Sequence, residues 1–411
     1  MSRAIGPSQA ATPWRVLAVA SFILLLVYAT ILFMAARQGL WIIGPKGLVP
    51  FDFAEFWAAG RLAATGHAAS AYDWQALRTV LEHQGAPGFG HTRLPFFYPP
   101  FLLLPLSLVM AAPPLTAAII WIGAGALVYL GAVWLICRSH ILLLGAAAAP
   151  AAFLVVCVGQ NGLLSAALLG AGLALLDRRP IMAGVLIGAL AYKPQFGVLL
   201  PLVLVATRRW RVILSATATV LALVLASGVA FGWDIFAAFQ QATRLSHGHI
   251  PALTAQAPAK LQSVYGLAVT LGAASGPAWG AQIAVALIAA GFTLALWRSE
   301  RPFPLKAAAL AASVLLVSPY SAVYDLTLPV VAIGFLLADE ATRPGRFGSI
   351  ALAASYAAPL ILPFVSMPLG PLICVAILAV TAERWRASTG VEGARKNSGR
   401  TGEGEIARHS P

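Results

Sequence analysis

The chain has 411 residues, of which 60% are hydrophobic and 10% are charged, and its mean hydropathy is +0.83. Soluble globular proteins have about 25% charged residues, so the composition excludes that class and indicates a polytopic membrane protein. The formal net charge of +13 would suggest a nucleic-acid partner in a soluble chain. Here basic cytoplasmic loops beside anionic lipid headgroups account for it, and no nucleic-acid partner is expected.

The first apolar run extends from Val16 to Ala36. It is long enough to span a bilayer and exceeds the roughly 7 to 15 residues of a signal-peptide core. We therefore expect an uncleaved first transmembrane helix that begins in the cytoplasm. Residues 37–95 are too polar and too interrupted by glycine to span, and they are predicted to form a structured first extracytoplasmic loop.

Two acidic residues of this loop, Asp52 and Glu55, are three positions apart among aromatic residues. On a short helix both carboxylates would share one face. Such a partly desolvated carboxylate suits a general base. The alternative is an interfacial helix whose aromatic side chains anchor at the headgroups and whose acids are merely solvated. Spacing alone leaves both interpretations open.

Beyond the loop, the chain is almost continuously apolar, and basic clusters alternate with polar breaks. Because basic residues concentrate on the cytoplasmic side, the clusters are predicted to be cytoplasmic and the breaks to face the same side as the Asp52 loop. The clusters are Arg138, Asp177 to Arg179, Arg208 to Arg211, Arg298 to Arg301, and Arg343 with Arg346; the breaks are Gly159 to Asn161, Lys193 to Gln195, residues 233–262, and Ser318 to Tyr320.

These patterns predict a single integral membrane domain over residues 1–385. It is expected to be an all-α polytopic membrane protein with about 10 to 13 transmembrane helices. Residues 37–95 and 233–262 would be its two large external loops. Residues 386–411 are rich in Gly, Ser and charge, and are predicted to form a disordered cytoplasmic tail. The predicted location is the plasma (inner) membrane, crossed many times.

Lys193 lies inside an apolar stretch, where a charge is costly and usually functional. Pro194 follows it directly and breaks the helix, which frees backbone groups and indicates an irregular site. A lysine there could bind a phosphate as a point charge. The alternative is a side chain that snorkels to the headgroups from the end of a short helix.

Other polar residues at the breaks have two interpretations each. Gln160 and Asn161 could hydrogen-bond a polar ligand or form a tight turn. Asp325 could contact substrate or cap a helix, and at membrane depth it needs a partner. Tyr98 begins a Tyr-Pro-Pro sequence that predicts a stiff, extended lead into a helix.

The sequence contains no Walker A loop, no Rossmann glycine fingerprint and no GxSxG motif, so a nucleotide motor or a serine hydrolase lacks its usual signature. His247 and His249 are only two possible metal ligands in one loop. Neither a metal nor another cofactor is expected.

A set of short motifs occurs in a fixed order between about residues 45 and 340. They are Phe51-Asp52-Phe53, Phe56-Trp57-Ala58-Ala59-Gly60-Arg61, Tyr72-Asp73, Phe97-Tyr98-Pro99-Pro100, Gly159-Gln160-Asn161, Ala191-Tyr192-Lys193-Pro194, and Ser318-Pro319-Tyr320 leading to Asp325. In this order the set resembles glycosyltransferase family 87, whose members are integral membrane enzymes of the GT-C class and include polyprenol-phosphate-mannose-dependent mannosyltransferases.

The resemblance implies a GT-C-like helix bundle and a hexosyltransferase that moves a sugar from a polyprenyl-phosphate-linked donor to a lipid or glycan acceptor on the extracytoplasmic face, with inversion. It places the catalytic acid at Asp52, with Glu55 as a second candidate. We expect Lys193 to bind the donor phosphate. The candidate substrate-binding residues are Gln160, Asn161, Tyr98, Tyr320 and Asp325.

An alternative from another class is a transporter or flippase for a lipid-linked or polar solute, which would also place Lys193 and Asp325 in a bundle interior. Transporters commonly contain inverted repeats around a midplane site. No repeat is evident in this sequence, and its acids cluster in the first external loop.

The charge pattern predicts the orientation of the chain. A cysteine introduced at Gly248 should react with a membrane-impermeant thiol reagent on intact cells, and one at Arg209 should not, because only the former is predicted to be extracytoplasmic. Labelling at 209 without labelling at 248 would reverse the arrangement.

Overall fold

The computed structural model describes residues 7–37, 51–83, 96–247, 260–339 and 344–387. Parts of three predicted segments lie outside these residues: 38–50 and 84–95 of the first external loop, 248–259 of the second, and 388–411 of the tail. The described chain is helical, and its β structure is one isolated antiparallel bridge between Leu261 and Ala322. The predicted all-α polytopic fold is confirmed.

The α-helices are numbered in chain order, and short 3-10 turns connect several of them. They are α1 (Pro7–Arg37), α2 (Phe51–Ala64), α3 (Trp74–His83), α4 (Leu103–Val109), α5 (Pro114–Cys137), α6 (His140–Ala147), α7 (Pro150–Val158), α8 (Gly162–Ala174), α9 (Pro180–Ala189), α10 (Leu199–Ala206), α11 (Trp210–Phe231), α12 (Ile235–His247), α13 (Val264–Thr270), α14 (Ser275–Arg298), α15 (Phe303–Val317), α16 (Thr327–Ala338), α17 (Arg346–Ala357) and α18 (370–387).

Five helical segments of the described chain are long and apolar enough to cross a membrane: Trp14–Arg37, Pro114–Cys137, Trp210–Phe231, Ser275–Arg298 and Arg346–Phe364. Helices α6 and α7 form a further candidate, bent by 44°. Several other apolar helices have only 10–17 residues. The predicted total of about 10 to 13 crossings is therefore reached only if the short and bent helices count as crossings.

The short helices are interrupted at three polar breaks, which the fold brings together. We define the first break as residues 159–161, the second as 190–198 and the third as 318–326. The Tyr192 hydroxyl of the second break lies 2.7 Å from Ser165 Oγ and donates to the carbonyl of Asn161 at 3.3 Å. Thr327, directly after the third break, donates to the Gly162 carbonyl at 2.9 Å. Three interruptions distant in sequence thus form one contiguous polar site.

Two of the predicted basic clusters contact each other. Arg209 pairs with Asp177 at 2.5 Å, and its guanidinium lies 5.9 Å from the Trp297 ring centroid. The indole of Trp297 in turn donates to the Lys306 carbonyl at 2.7 Å. Two of the five basic clusters thus contact each other directly, and Trp297 places the start of a third, Arg298 to Arg301, beside them; Arg343 of the last cluster lies outside the described residues.

Both predicted external loops contribute helices, and these contact each other. A 3-10 turn, Ala68–Tyr72, connects α2 to α3. The Tyr72 ring lies 5.7 Å from that of Phe239 on α12. The first loop and the start of the second therefore share a packing surface beside the breaks.

Gly162 allows the first and third breaks to approach closely. A Cβ at this position would overlap the Tyr324 carbonyl oxygen, a backbone atom that cannot rotate away. We predict that Gly162→Ala destabilises the protein by about 1 to 3 kcal/mol, the usual range for overpacking. The loss should be measured as a lower apparent melting temperature of the purified protein. Gly123→Ala, on α5, is the control because a Cβ there meets nothing within 4 Å; equal melting temperatures for the two variants would contradict the prediction.

Candidate active site

Asp52 lies near the start of α2, beside the first break. The Gln160 amide Nε2 lies 3.4 Å from Asp52 Oδ2 and donates to it. Gln160 is itself held through its Oε1, which accepts from the Asn161 backbone N–H at 3.1 Å and from the Tyr98 hydroxyl at 3.3 Å. The structure therefore brings together four of the residues singled out in the sequence.

Gly159 explains how the first break presents these groups. It ends α7 with a left-handed φ of 69°, a conformation that glycine adopts without the steric cost of a Cβ. Its N–H caps the helix by donating to the Val155 carbonyl at 2.8 Å. The chain then turns sharply, so that Gln160 leaves the helix axis and faces Asp52 of α2.

Helix α2 is fixed by the residues that follow its two acids. The Trp57 indole donates to the Ala112 carbonyl at 3.2 Å, and Arg61 donates to the Ala111 carbonyl at 2.9 Å. Gly60 packs against the end of α4, where a Cβ would come within 2.8 Å of the Leu106 carbonyl oxygen. These contacts give the helix one position, and that position sets the direction of Asp52.

An aromatic cluster closes the inner side of this arrangement. The Phe56 ring lies 5.3 Å from that of Tyr98 and 5.6 Å from that of Trp121. Phe96 completes the cluster, 5.5 Å from Tyr98. Pro99 of the Tyr-Pro-Pro sequence is extended and leads into a 3-10 turn, Pro100–Leu102, and then α4, as predicted, and Tyr98 also contacts the site through Gln160.

A cation that sequence reasoning missed faces Asp52. Lys260 Nζ lies 3.9 Å from Asp52 Oδ1, and the two side chains are 59% and 13% exposed. Lys260 belongs to the predicted second external loop, where it is the only lysine. Being the only lysine of that loop was the one feature of the sequence that could have identified Lys260. Its proximity to Asp52 depends on how two distant loops pack, which the sequence does not reveal.

Burial raises the pKa of the Asp52 carboxyl, while the nearby Lys260 and the hydrogen bond from Gln160 oppose the rise. Burial also raises the pKa of Glu55, well above its ordinary value, and the charge of Asp52 adds to this effect while Lys260 opposes it. Both residues lie on α2, outside the long apolar helices. The two acids on one helix face thus differ in environment, and the neutral form is favoured more strongly at Glu55 than at Asp52.

Lys193 is placed differently from Lys260. It is 1% exposed, and its Nζ donates to Asp325 Oδ1 at 2.5 Å. The ammonium also lies 4.8 Å from the Tyr324 ring centroid and 5.4 Å from that of Phe196. It therefore neither snorkels to the surface nor stands open to a ligand.

Asp325 has a second function in the third break. Its Oδ2 accepts from the Ala322 N–H at 2.8 Å, so the carboxylate both pairs with Lys193 and caps a 3-10 turn, Val323–Leu326. Asp325 thus has the partner that a charge at membrane depth needs, and it also caps a turn, which was one of its two interpretations from the sequence. The ion pair connects the second break to the third.

Two other predicted substrate-binding residues, Asn161 and Tyr320, differ in their surroundings. Asn161 is 2% exposed, and its side chain faces the Tyr98 hydroxyl; among the described residues no side-chain hydrogen bond of Asn161 meets the usual distance limit. Tyr320 instead packs against Trp279 of α14, with ring centroids 6.5 Å apart. No group of three His, Cys, Asp or Glu side chains that could hold a metal was found among the residues described.

Comparison with family models gives one match, to glycosyltransferase family 87, over residues 96–319, more than half of the chain. This chain belongs to glycosyltransferase family 87. Membership confirms the predicted family and makes the protein a multi-pass membrane glycosyltransferase, which rules against the transporter alternative. Comparisons with curated proteins and with solved structures found no match.

The family 87 match covers part of the candidate site. Tyr98, Gln160, Lys193 and Lys260 fall within it, whereas the acids of α2 and Asp325 lie outside its limits. The connection of Asp52 to the family region therefore rests on structural contacts, through Gln160 and Lys260.

We predict that the Lys193–Asp325 pair is structural. Lys193→Met or Asp325→Asn alone leaves one buried charge unpaired and should destabilise the protein by about 3 to 5 kcal/mol. The double variant should recover most of this loss, measured by apparent melting temperature.

The control is Arg78→Met, which breaks an exposed pair with Glu82 at 2.7 Å and should change stability by less than about 1 kcal/mol. A double variant as unstable as the sum of the two single variants would contradict the structural role.

Proposed function

We propose that this protein transfers a hexose from a polyprenyl-phosphate-linked donor to an acceptor hydroxyl on the extracytoplasmic face, with inversion, and that Asp52 is the general base. The observation that supports this most directly is the position of Asp52. It is a mostly buried carboxylate on a rigid helix, held by Gln160 and faced by a cation, beside the breaks in the apolar helices.

The reaction needs one proton transfer and one displacement. Asp52 takes the proton of the acceptor hydroxyl as its oxygen forms a bond to the anomeric carbon of the sugar. The bond from that carbon to the phosphate oxygen breaks, and its electron pair stays on the phosphate, so polyprenyl phosphate leaves. Because phosphate is a good leaving group, the protein has only to supply a base and to stabilise the developing negative charge.

Asp52 suits the role of general base better than Glu55 does, and the reason is electrostatic. A base must be ionised in the ground state, and its pKa should lie near the working pH. Burial raises the pKa of both acids, but the cation and the amide beside Asp52 favour its charged form. Burial and the charge of Asp52 raise the pKa of Glu55 well above its ordinary value and so favour its neutral form, which makes Glu55 the secondary candidate.

The other residues around the breaks can recognise polar parts of the substrates. The side-chain amide of Asn161 offers both a donor and an acceptor, which suits a sugar hydroxyl. Gln160 orients Asp52 through its amide, and Tyr98 holds Gln160. Asp325 and Tyr320 remain proposed substrate residues with weaker support, since the former is paired and the latter packs on Trp279.

The phosphate role predicted for Lys193 also stays a proposal. Its burial and its pair with Asp325 favour an indirect role, in which it orders the second and third breaks around the substrate. The polyprenyl chain would lie along the apolar helices, many of whose large hydrophobic side chains are exposed.

The proposal predicts that Asp52→Asn lowers turnover by about 100-fold or more, because Asn keeps the shape and hydrogen bonding of Asp but cannot accept the proton. Glu55→Gln should lower turnover by a smaller factor. The measurement is release of polyprenyl phosphate from a polyprenyl-phospho-sugar by purified protein in the presence of acceptor lipid.

Donor binding by Asp52→Asn should stay near that of the unmodified protein, which separates catalysis from binding. A normal rate for Asp52→Asn with complete loss for Glu55→Gln would move the base to Glu55. Normal rates for both variants would exclude this mechanism.

A further inference from the structure

Four short helices each join a polar break to a basic cluster. Helices α8 and α15 have the first and third breaks at one end, and α9 and α10 have the second break. At its other end each of the four meets one of three basic clusters, so these clusters lie on the side of the bundle opposite the breaks. We call the three clusters, residues 177–179, 208–211 and 298–301, the basic platform.

Direct contacts join the three clusters of the basic platform. Asp177 pairs with Arg209 at 2.5 Å, which connects the turn before α9 to the turn before α11. The guanidinium of Arg209 lies 5.9 Å from the Trp297 ring centroid, and the Trp297 indole donates to the Lys306 carbonyl of α15 at 2.7 Å. The third cluster, which lies between Trp297 and Lys306 in the chain, is therefore held beside the other two.

Close packing of α9 on α11 keeps the first two clusters next to each other. Gly184 packs against Ser215 and Gly188 packs against Thr219, and a Cβ on either glycine would overlap its neighbour. Both contacts advance by four residues, so the two helices run in the same direction. The first contact lies near the start of each helix, and the arginines that precede the two helices are therefore at the same level.

The basic platform has a large excess of positive charge. Its three clusters contain seven arginines and two acidic residues, and one of the acids, Asp177, is engaged by Arg209. Five of the arginines are exposed, and within the residues that the structure describes they form no ion pair: Arg178, Arg179, Arg208, Arg211 and Arg298. The positive charge of this surface is therefore directed toward an anion outside the chain.

Apolar side chains beside these arginines identify the kind of anion. Ile181 and Met182 follow directly after the first cluster, and Trp210 lies within the second. All three are exposed, as is Leu214 one turn further along α11. Exposed apolar side chains of a membrane protein face acyl chains, and tryptophan is typical of the headgroup level. The anion beside the arginines is therefore expected to be a lipid phosphate.

We propose that the basic platform binds the headgroup of an anionic phospholipid. The lipid phosphate contacts arginines from more than one turn, and its acyl chains lie against the exposed apolar side chains of α9 and α11. Arginine suits this role because its guanidinium can donate two hydrogen bonds to one phosphate. The bound lipid thereby joins the ends of α8, α9, α10 and α15 that lie away from the candidate active site. It is a ligand that the glycosyl transfer does not consume.

General attraction between basic loops and an anionic leaflet is the simpler explanation of the charge. That attraction depends on the number of basic residues near the surface and not on which turn contains them. A site built from converging turns depends on their position. Removal of the same number of arginines inside and outside the basic platform therefore separates the two explanations.

A binding experiment tests the ligand. Full-length protein is purified in detergent, freed of lipid and titrated with phosphatidylglycerol, with phosphatidylcholine and with glycerol 1-phosphate. Bound lipid is counted by native mass spectrometry, and the apparent melting temperature is measured in parallel. Phosphatidylglycerol should bind and raise the melting temperature. The other two should have little effect, because phosphatidylcholine has no net charge and glycerol 1-phosphate has no acyl chains.

The variant Arg178→Gln/Arg211→Gln removes one exposed arginine from each of two clusters of the basic platform. It should weaken phosphatidylglycerol binding by about 30-fold, from the usual contribution of each basic residue beside an anionic lipid. Arg178→Lys/Arg211→Lys should retain much of the affinity because it keeps the charge. The matched control is Arg138→Gln/Arg346→Gln, which removes two exposed arginines outside the basic platform and should bind like the unmodified protein.

The salt dependence gives a second measurement on the unmodified protein. Phosphatidylglycerol binding should weaken when the salt concentration is raised from about 0.1 M to about 1 M, because the screening length falls from about 10 Å to about 3 Å. Binding that does not change with salt would contradict a headgroup contact and would assign the lipid to the apolar surface alone.

Four further results would overturn the proposal. Equal binding of phosphatidylcholine would remove the role of charge, and unchanged affinity in Arg178→Gln/Arg211→Gln would remove the role of the basic platform. Equal weakening by the control variant would leave only a general attraction to an anionic surface. Binding of glycerol 1-phosphate as tight as that of phosphatidylglycerol would make the surface a site for a water-soluble anion.

Discussion

The buried ion pair between Lys193 and Asp325 is the constraint on which the site depends. Two opposite charges, each 1% exposed, are tolerated inside a membrane protein only if each satisfies the other and finds further hydrogen bonds. Asp325 does so by also accepting from the Ala322 N–H. The pair thereby fixes the second break against the third, and Tyr192 and Thr327 extend this contact to the first break. Irregular backbone among apolar helices is stable here because polar groups of the three breaks pair and hydrogen-bond with one another.

That framework explains why the external helix α2 can present a carboxylate in a defined direction. Gln160, whose position follows from the first break, holds Asp52 from one side. The packing of Gly60 and the hydrogen bonds of Trp57 and Arg61 against the end of α4 hold the helix from the other. A site built on rigid elements keeps its geometry without the help of substrate, which is the requirement for preorganised catalysis.

Much of this arrangement could be predicted from the sequence, and the reasons are physical. An apolar chain with basic clusters and polar breaks in alternation permits few folds in a bilayer, so the all-α polytopic class followed directly. The breaks at Gln160, Lys193 and Asp325 were recognisable because polar residues are rare in apolar stretches. Their mutual contacts were not, because side-chain pairing between positions 132 residues apart depends on helix packing, which composition does not encode. For the same reason the phosphate-binding interpretation of Lys193 could not be weighed against a pair with Asp325.

The two lysines of the site show how environment separates the roles of one residue type. Lys193 is enclosed by aromatic rings and a carboxylate, so its charge is committed to the fold and its movement would leave a buried anion unpaired. Lys260 lies on a backbone that is attached to the third break, and its exposed side chain faces Asp52 at 3.9 Å. Its charge therefore acts on the carboxylate of the site, whereas the charge of Lys193 acts within the fold. The buried pair holds the breaks in place, and that fixed backbone positions the exposed lysine beside Asp52.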